Sequence, residues 1–307
     1  PHREALTALA ESIWSISLRD IAEARGLEAA ELRALLESGP KSAEEALELN
    51  LVDTLGWPED AQDAATELAE DGNLLDIAAY VPPVVKAGAP MVAIVGGEGP
   101  SITGTGDDDL FASTNGFSSD PVAASILEAG RNDKVEAIVF RVDSPGGSPT
   151  ASDQIWNAIE RVQRDGKPVV VSMGSVAASG GYYVSTGAAA ILASETTITG
   201  SIGIFGGKFA VSEGLARIGI NIDDVTVGGP FANAYGPDKF TDDEREVLRA
   251  WLKRGYDRFT TLVAEGRDMT VDEVHERARG RVRSGAAAID NGLVAELGGF
   301  MEALDKA

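Results

Sequence analysis

Two glycine-rich segments of this chain each contain a serine, and each follows a predicted buried strand. Asp143–Ser148 comes directly after the apolar run 135–142, and Ala177–Tyr183 comes shortly after the apolar run 168–173. Open α/β sheets bind ligands where strands pass into helices. Glycines there let a substrate approach the backbone and leave N–H groups that stabilise the oxyanion of an acyl transfer. The two segments together favour a functional site, where the Ser179 hydroxyl would start a helix and be held toward solvent.

Each segment taken alone has a simpler interpretation. The run Ser144–Gly147 is typical of a turn that caps a helix, and Ser179 is equally typical of a small-residue helix start packed against a sheet. The pairing of the two segments, one strand apart, favours a site. Neither segment is a phosphate-binding loop, since no Gly-Lys-Ser/Thr follows. Residue 177 is Ala, so the second segment is not a Gly-x-Ser-x-Gly motif either.

A nucleophilic serine needs a base, and histidine is an unpromising one in this chain. The sequence has 2 histidines, His2 at the start and His275 within the polar segment Val271–Arg277. An exposed surface histidine is the natural interpretation of His275. A Ser-His-Asp triad is therefore poorly supported.

A lysine whose pKa is lowered by burial is the chemical alternative. Lys134 and Lys167 lie in polar loops before strands, at the sheet edge opposite the glycine loops. Lys208 is predicted to begin a helix after Gly206-Gly207, and Lys239 lies just before the C-terminal tail. Lys208 and Lys239 are better explained as solvent-exposed residues than as the base.

The elements around these loops alternate between strand and helix. This alternation predicts an α/β fold with parallel strands and crossover helices. The predicted strands are 91–95, 135–142, 168–173 and 189–193, and the predicted helices are 120–130, 150–164 and 177–187. The polar segment 101–119 is predicted to be a loop, and its acidic run Asp107–Asp109 is typical of solvated side chains rather than of a metal site.

The two ends of the chain read as helical and resemble each other. Residues 1–70 and the tail 241–307 match at a constant offset, for example Leu51–Gly56 with Leu293–Gly298. Such a match predicts a duplication. Residues 1–70 are then the helical tail of an incomplete first repeat, and 71–90 is a connection that includes a strand candidate at 74–80. The complete second repeat is 91–307, an α/β core (91–240) followed by its helical tail.

Composition excludes several classes of function. The net charge of -23 argues against binding to nucleic acid or to anionic lipid. With 0 cysteines, disulfides, zinc–thiolate sites and a cysteine nucleophile are excluded. No apolar run approaches the ~20 residues of a membrane helix. Nothing in the sequence requires a metal or a cofactor.

Three motifs in order resemble the signal peptide peptidase A family, whose fold is related to the Clp protease and crotonase group. They are Ser144–Gly147, Ser172–Tyr183 and Thr199–Gly206. The resemblance implies a Clp protease/crotonase-like ββα core with a helical tail. It also implies that Ser179 is the nucleophile of a Ser-Lys dyad, with backbone N–H groups at Gly147 and Gly180 forming the oxyanion hole.

The family has a short and a long architecture, and this chain follows the long one. Short members carry the lysine downstream of the serine, but the corresponding stretch here, 228–236, has no lysine. Long members take the lysine from the first half. The resemblance therefore implies that the general base is not in this chain, that it lies upstream of Pro1, and that this fragment alone is inactive.

The resemblance also implies a biological setting. It predicts a homo-oligomeric endopeptidase of the bacterial inner membrane that degrades cleaved signal peptides and other short apolar peptides. An N-terminal anchor outside this sequence would hold it, with the soluble part facing the periplasm. Tyr182, Tyr183 and Phe205 are candidate walls of the peptide site, with core packing as the other interpretation.

Two other functions remain open from the sequence. The chain is alternatively a catalytically silent scaffold or peptide-binding half, which would have the fold but serve in assembly. It is alternatively a crotonase-like acyl-CoA enzyme, which would use carboxylates at the site and would not need Ser179. Covalent labelling of Ser179 would separate the protease from both alternatives. Measurable affinity for CoA would favour the acyl-CoA enzyme.

Overall fold

The computed structural model describes residues 2–69, 88–105, 117–223 and 230–307. It divides into two units, one formed by Pro1–Ile13 with Pro90–Ala307 and the other by Trp14–Ala89. The strand candidate 74–80, most of the predicted connection and the acidic run Asp107–Asp109 lie outside the described residues.

The described residues form nine strands and thirteen helices. The strands are β1 (Met91–Glu98), β2 (Ser101–Ile102), β3 (Phe117–Ser118), β4 (Val135–Ser144), β5 (Val169–Ala178), β6 (Ala190–Ala193), β7 (Ile198–Gly200), β8 (Val282–Ser284) and β9 (Glu296–Leu297). The helices are α1 (His2–Arg25), α2 (Ala29–Glu37), α3 (Ala43–Glu48), α4 (Pro58–Leu68), α5 (Ser119–Arg131), α6 (Pro149–Arg164), α7 (Gly180–Ser185), α8 (Ser212–Ala216), α9 (Pro230–Asn233), α10 (Asp242–Arg267), α11 (Val271–Arg277), α12 (Gly285–Asp290) and α13 (Phe300–Lys306).

A parallel sheet organises the α/β unit. Its strand order is β1-β4-β5-β6-β9, and all four of these pairings are parallel. β7 pairs in parallel with the C-terminal end of β5, and β8 pairs with β7 in antiparallel orientation. β2 and β3 form a separate parallel pair. The predicted parallel sheet is confirmed, and the four predicted strands are β1, β4, β5 and β6.

Apolar sequence explains why the central strands form. In β4, Ile138, Val139 and Phe140 are all fully buried, so both faces of the strand are covered. The following helix, α6, begins with Pro149 and is capped by Ser148, whose hydroxyl accepts a hydrogen bond from the Ala151 N–H. Strand, cap and helix thus place the first glycine-rich loop at the carboxyl edge of the sheet.

The tail 241–307 differs from its prediction, because it is not wholly helical. It contributes β8 and β9 to the sheet. Both strands are very short, and their partners lie far away in the sequence, so local periodicity gives no signal for them. Among the described helices, none is long and apolar enough to cross a membrane.

Candidate active site

Ser179 occupies the junction between β5 and α7. Its backbone has φ 51° and ψ -116°, in a region that residues other than glycine seldom adopt. Its N–H donates to the Gly200 carbonyl at 2.9 Å, and its carbonyl accepts from the Tyr183 N–H at 2.8 Å. These bonds hold the strained residue between β7 and the first turn of α7.

The first glycine-rich loop lies directly against this serine. A Cβ atom at Gly146 would be 2.5 Å from the Gly180 nitrogen and 2.7 Å from the Ser179 Cβ. Gly146 also has φ 99°, which glycine adopts without strain. The structure therefore brings together the two segments that the sequence paired, and no side chain fits between them.

Two backbone N–H groups at this junction donate to no backbone acceptor among the described residues. Gly180 is the first residue of α7, so its N–H has no acceptor within the helix. Around Gly147, the Ser101 N–H donates to Gly146 and the Ser148 N–H donates to Ser101. No backbone acceptor within the described residues takes the Gly147 N–H. The assignment of Gly147 and Gly180 to an oxyanion hole stays a prediction, and their unpaired amides are compatible with it.

A carboxylate that sequence reasoning missed connects the ends of β4 and β5. The side chain of Asp143 accepts hydrogen bonds from the backbone N–H groups of Ser175, at 3.2 Å, and Val176, at 3.0 Å. Gly174 leaves room for it, since a Cβ there would be 2.5 Å from the Asp143 Oδ2. The available signal was its position immediately before the motif Ser144–Gly147.

The junction opens into a cleft of about 990 Å³. Small and apolar residues dominate its walls, which suits an extended apolar peptide. The lining residues are Pro145, Gly146, Gly147, Pro149, Ser152, Ser179, Gly180, Tyr183, Ser201, Gly203, Ile204, Phe205, Trp251, Tyr256, Phe259, Arg279 and Gly280.

The three aromatic candidates for the cleft wall separate into two groups. Tyr183 and Phe205 line the cleft, and Phe205 is 96% exposed. Tyr182 is instead fully buried in the core, where its hydroxyl donates to the Leu293 carbonyl at 2.7 Å. Tyr183 and Phe205 therefore fit the interpretation as cleft walls, and Tyr182 fits the interpretation as a core residue.

Tyr183 is fixed in the wall by its neighbours. Its ring contacts Phe259 at a centroid distance of 4.8 Å, and its hydroxyl donates to Asp153 Oδ1 at 2.6 Å. Burial, followed by the hydrogen bond to Asp153, raises the pKa of Tyr183 above its usual range. The phenol is therefore neutral at physiological pH and is fixed in place by its two neighbours.

No lysine or histidine is among the lining residues of the described cleft. Lys208 Nζ lies 4.5 Å from the ring centroid of Phe240, in a non-helical segment rather than at the predicted helix start. Lys239 Nζ pairs with the Glu213 carboxylate at 2.8 Å. Neither lysine is placed as a base for Ser179.

Two of the other basic candidates, Lys167 and His275, have hydrogen bonds of their own. Lys167 Nζ donates to three backbone carbonyl groups at the end of α5, and Lys134 is exposed. His275 Nδ1 is 2.9 Å from the hydroxyl of Tyr256, which lines the cleft. The side chain of His2 lies outside the described residues.

The positions of the acidic and histidine side chains bear on whether a metal ion could bind. Within the described ranges, no group of three lies close enough together to hold a metal ion.

Two family models match this chain. The model for Peptidase family S49 matches residues 161–307, and the model for Clp protease matches residues 110–207. The second match includes the helix α7 and the strands β4, β5 and β6, which pair in parallel. The predicted Clp protease-like fold is thereby confirmed.

Similar curated proteins also have names that indicate a peptidase. Protease 4 of Haemophilus influenzae is 38% identical over 216 residues, which are 70% of this chain and 34% of that protein. Protease 4 of Salmonella typhi is 44% identical over 188 residues, 61% of this chain and 30% of that protein. The putative signal peptide peptidase SppA of Enterococcus faecium is 32% identical over 205 residues, 66% of this chain and 59% of that protein.

The chain spans about a third of the length of the two Protease 4 relatives. The resemblance predicted from the three motifs is confirmed by the matching family model and by the names of these relatives.

Proposed function

We propose that this chain, whose residues 161–307 match the model for Peptidase family S49, supplies Ser179 as the nucleophile of a serine peptidase for short apolar peptides. The observation that carries the proposal is the junction itself. A strained serine lies beside two amides without backbone acceptors, at the wall of a cleft large enough for a peptide. Strain of this kind concentrates at functional sites.

The chemistry is acyl transfer in two steps. The Ser179 oxygen attacks the scissile carbonyl carbon, and the negative carbonyl oxygen is stabilised by the N–H groups of Gly147 and Gly180. The C–N bond then breaks, and the amine leaves with the proton that the base took from the serine. Water attacks the acyl-enzyme by the same route, which releases the acid and restores the hydroxyl.

We propose that the base is a lysine outside residues 1–307. Two observations support this: the lining residues of the described cleft include no lysine, and the two Protease 4 relatives are about three times as long as the matched segment. On this proposal, residues 1–307 alone do not acylate.

We propose that residues 1–70 are the tail of an earlier repeat. Helix α3 (Ala43–Glu48), capped by Ser42, corresponds to α12 (Gly285–Asp290), capped by Ser284, at the offset that the sequence indicates. The two helices are also followed by left-handed residues at matching positions, Asn50 with φ 58° and Gly292 with φ 70°. Equivalent caps and ends support a duplicated unit.

The substrate and setting are also proposals. Released signal peptides suit the apolar cleft, and the name of the Enterococcus faecium relative points to them. Assembly into a homo-oligomer is supported by exposed large apolar residues of the α/β unit, such as Phe205, Phe209 and Ile218. Attachment to the bacterial inner membrane through a separate anchor, with the soluble part in the periplasm, completes the proposal, and cell fractionation tests it.

The test is hydrolysis of a fluorogenic apolar peptide by the natural full-length protein. Ser179→Ala is expected to reduce kcat/KM by at least about a thousandfold, since the covalent route is lost. Ser201→Ala is the matched control, because Ser201 lines the same cleft and also has positive φ, and it is expected to retain activity. Undiminished hydrolysis by Ser179→Ala would rule out the proposal, and measurable CoA binding would favour an acyl-CoA enzyme instead.

A further inference from the structure

We infer that Arg279 is a carboxylate-binding residue of the Ser179 cleft and that it selects peptides carrying an anionic group. The inference rests on the proposed function, because it names a feature of the substrate. Arg279 is the one charged residue among the lining residues of the described cleft. The other lining residues offer hydroxyl groups, aromatic rings, aliphatic carbon and backbone.

Arg279 is held in the wall by the backbone that also holds the nucleophile. The Gly280 N–H donates to Ile202 at 2.9 Å, and the Ser201 N–H donates to Arg281 at 2.8 Å. The residue before Ser201 is Gly200, whose carbonyl accepts the Ser179 N–H at 2.9 Å. The arginine and the serine are thus fixed to the two sides of one short segment.

The backbone of Arg279 is strained for an arginine. Its φ is 59°, in the left-handed region that glycine adopts at no steric cost. The next residue, Gly280, has φ 69° and shows how this turn is relieved by glycine. A long cationic side chain at a strained position in a cleft wall indicates that the side chain itself is used.

The side chains of the nearby arginines donate hydrogen bonds to backbone carbonyl groups, whereas the side chain of Arg279 does not. Arg277 donates to the Glu273 carbonyl, Arg281 to the Ala278 carbonyl, and Arg283 to the Arg277 carbonyl. Burial and then the positive charges of Arg281 and Arg277 lower the pKa of Arg283. Arg279 is exposed, and its guanidinium has no ion-pair or hydrogen-bond partner among the described residues. Its guanidinium donors therefore remain available to a ligand.

The ligand chemistry follows from this cation. A guanidinium presents two parallel N–H groups that match the two oxygens of a carboxylate. The chain has a net charge of -23, so an anionic peptide is repelled by most of the protein and gains from this one position. Either an acidic side chain or the free C-terminal carboxylate of a previously cleaved peptide has the required group.

The experiment measures peptide binding by fluorescence anisotropy to the full-length protein carrying Ser179→Ala, which prevents turnover. Three forms of one apolar peptide are compared: a C-terminal amide, a free C-terminal carboxylate, and an amide with one internal glutamate. A carboxylate form is expected to bind roughly tenfold more tightly than the neutral amide, as charge-assisted hydrogen bonds do. The form that gains affinity identifies whether the terminus or the side chain is bound.

Arg279→Gln should remove this preference, so that the carboxylate forms bind no more tightly than the neutral amide. Arg131→Gln is the matched control, since Arg131 is an exposed arginine at the end of α5 that does not line the cleft. It should keep the preference. Arg279→Gly provides a second variant, because it relieves the left-handed strain. It should melt at a temperature no lower than the parent and still lose the preference.

Equal binding of all three peptides by the parent, or a preference that survives Arg279→Gln or Arg279→Gly, would overturn the inference while leaving the peptidase proposal intact. Failure of every peptide to bind, the neutral amide included, would overturn the proposed function and this inference with it.

Discussion

The two glycine-rich segments at the carboxyl edge of the sheet contain similar residues, but their glycines are needed for different reasons. In the first segment, Gly146 and Gly147 have φ 99° and 153°, so they supply backbone conformations that other residues resist. In the second, the serine itself has positive φ, while Gly180 and Gly181 have ordinary φ values. The second pair of glycines is required by space, since a Cβ at Gly181 would be 2.5 Å from the Ser144 carbonyl oxygen.

This difference separates support from reactivity. The first segment is an unstrained support that leaves room for its neighbour, whereas the second places its strain on the residue proposed to do the chemistry. Substitutions in the two segments should therefore change stability by different amounts and even with different signs.

The largest effect is expected for Gly146→Ala. The new methyl group would collide with the backbone of Gly180 and would also impose strain at φ 99°, so we expect a loss of about 3 kcal/mol in the free energy of unfolding. Gly166→Ala is the matched control: φ is 94° and nothing lies within 4 Å, so strain acts alone and about 1 kcal/mol is expected. Urea denaturation measures both, and equal losses would contradict the close contact.

Gly181→Ala should destabilise by about 2 kcal/mol, less than Gly146→Ala, because it adds a collision without backbone strain. The same urea experiment measures it. A larger loss than that of Gly146→Ala would reverse the proposed division between the two segments.

Ser144→Ala tests the support directly. The buried Ser144 hydroxyl accepts a hydrogen bond from the Gly146 N–H at 3.1 Å, so its removal leaves a buried donor unpaired. We expect a loss of about 1.5 kcal/mol in the free energy of unfolding, measured in urea. No change would show that this bond does not hold the loop.

The smallest and opposite effect is expected for Ser179→Gly. Glycine relieves the strain at φ 51° but gains freedom in the unfolded chain, so a net stabilisation of about 0.5 kcal/mol is expected with complete loss of peptide hydrolysis. A thermal melt beside an activity assay measures both. Destabilisation would contradict a strained serine.

The comparison also shows what the sequence can predict. Continuous apolar runs located β4 and its neighbours, and the spacing of glycines and serines located the junction. The prediction ended β5 near residue 173, but the strand continues to Ala178, because its last three residues pair with β7. The Asp143 carboxylate also binds the amides of Ser175 and Val176. That bond crosses between strands, and neither local periodicity nor residue propensity reports it.

Long-range pairing explains the other misses. β7 pairs with β8, more than eighty residues later, inside a tail that reads as helical. Arg279 belongs to the same segment, and its place in the cleft depends on the bonds between residues 200–202 and 280–281. Motif spacing predicted the pairing of the two segments, and the family resemblance assigned roles to Ser179, Gly147 and Gly180, whereas the cleft wall requires the fold.

Covalent labelling with a fluorophosphonate probe, followed by peptide mapping by mass spectrometry, tests the central claim most directly. The account predicts one adduct in the natural full-length protein, on Ser179, and none on Ser152 or Ser201, which line the same cleft. It also predicts no adduct on residues 1–307 alone, where the proposed lysine is absent. An adduct on a different serine of the cleft, or no adduct in the full-length protein, would contradict the assignment of Ser179 as the nucleophile.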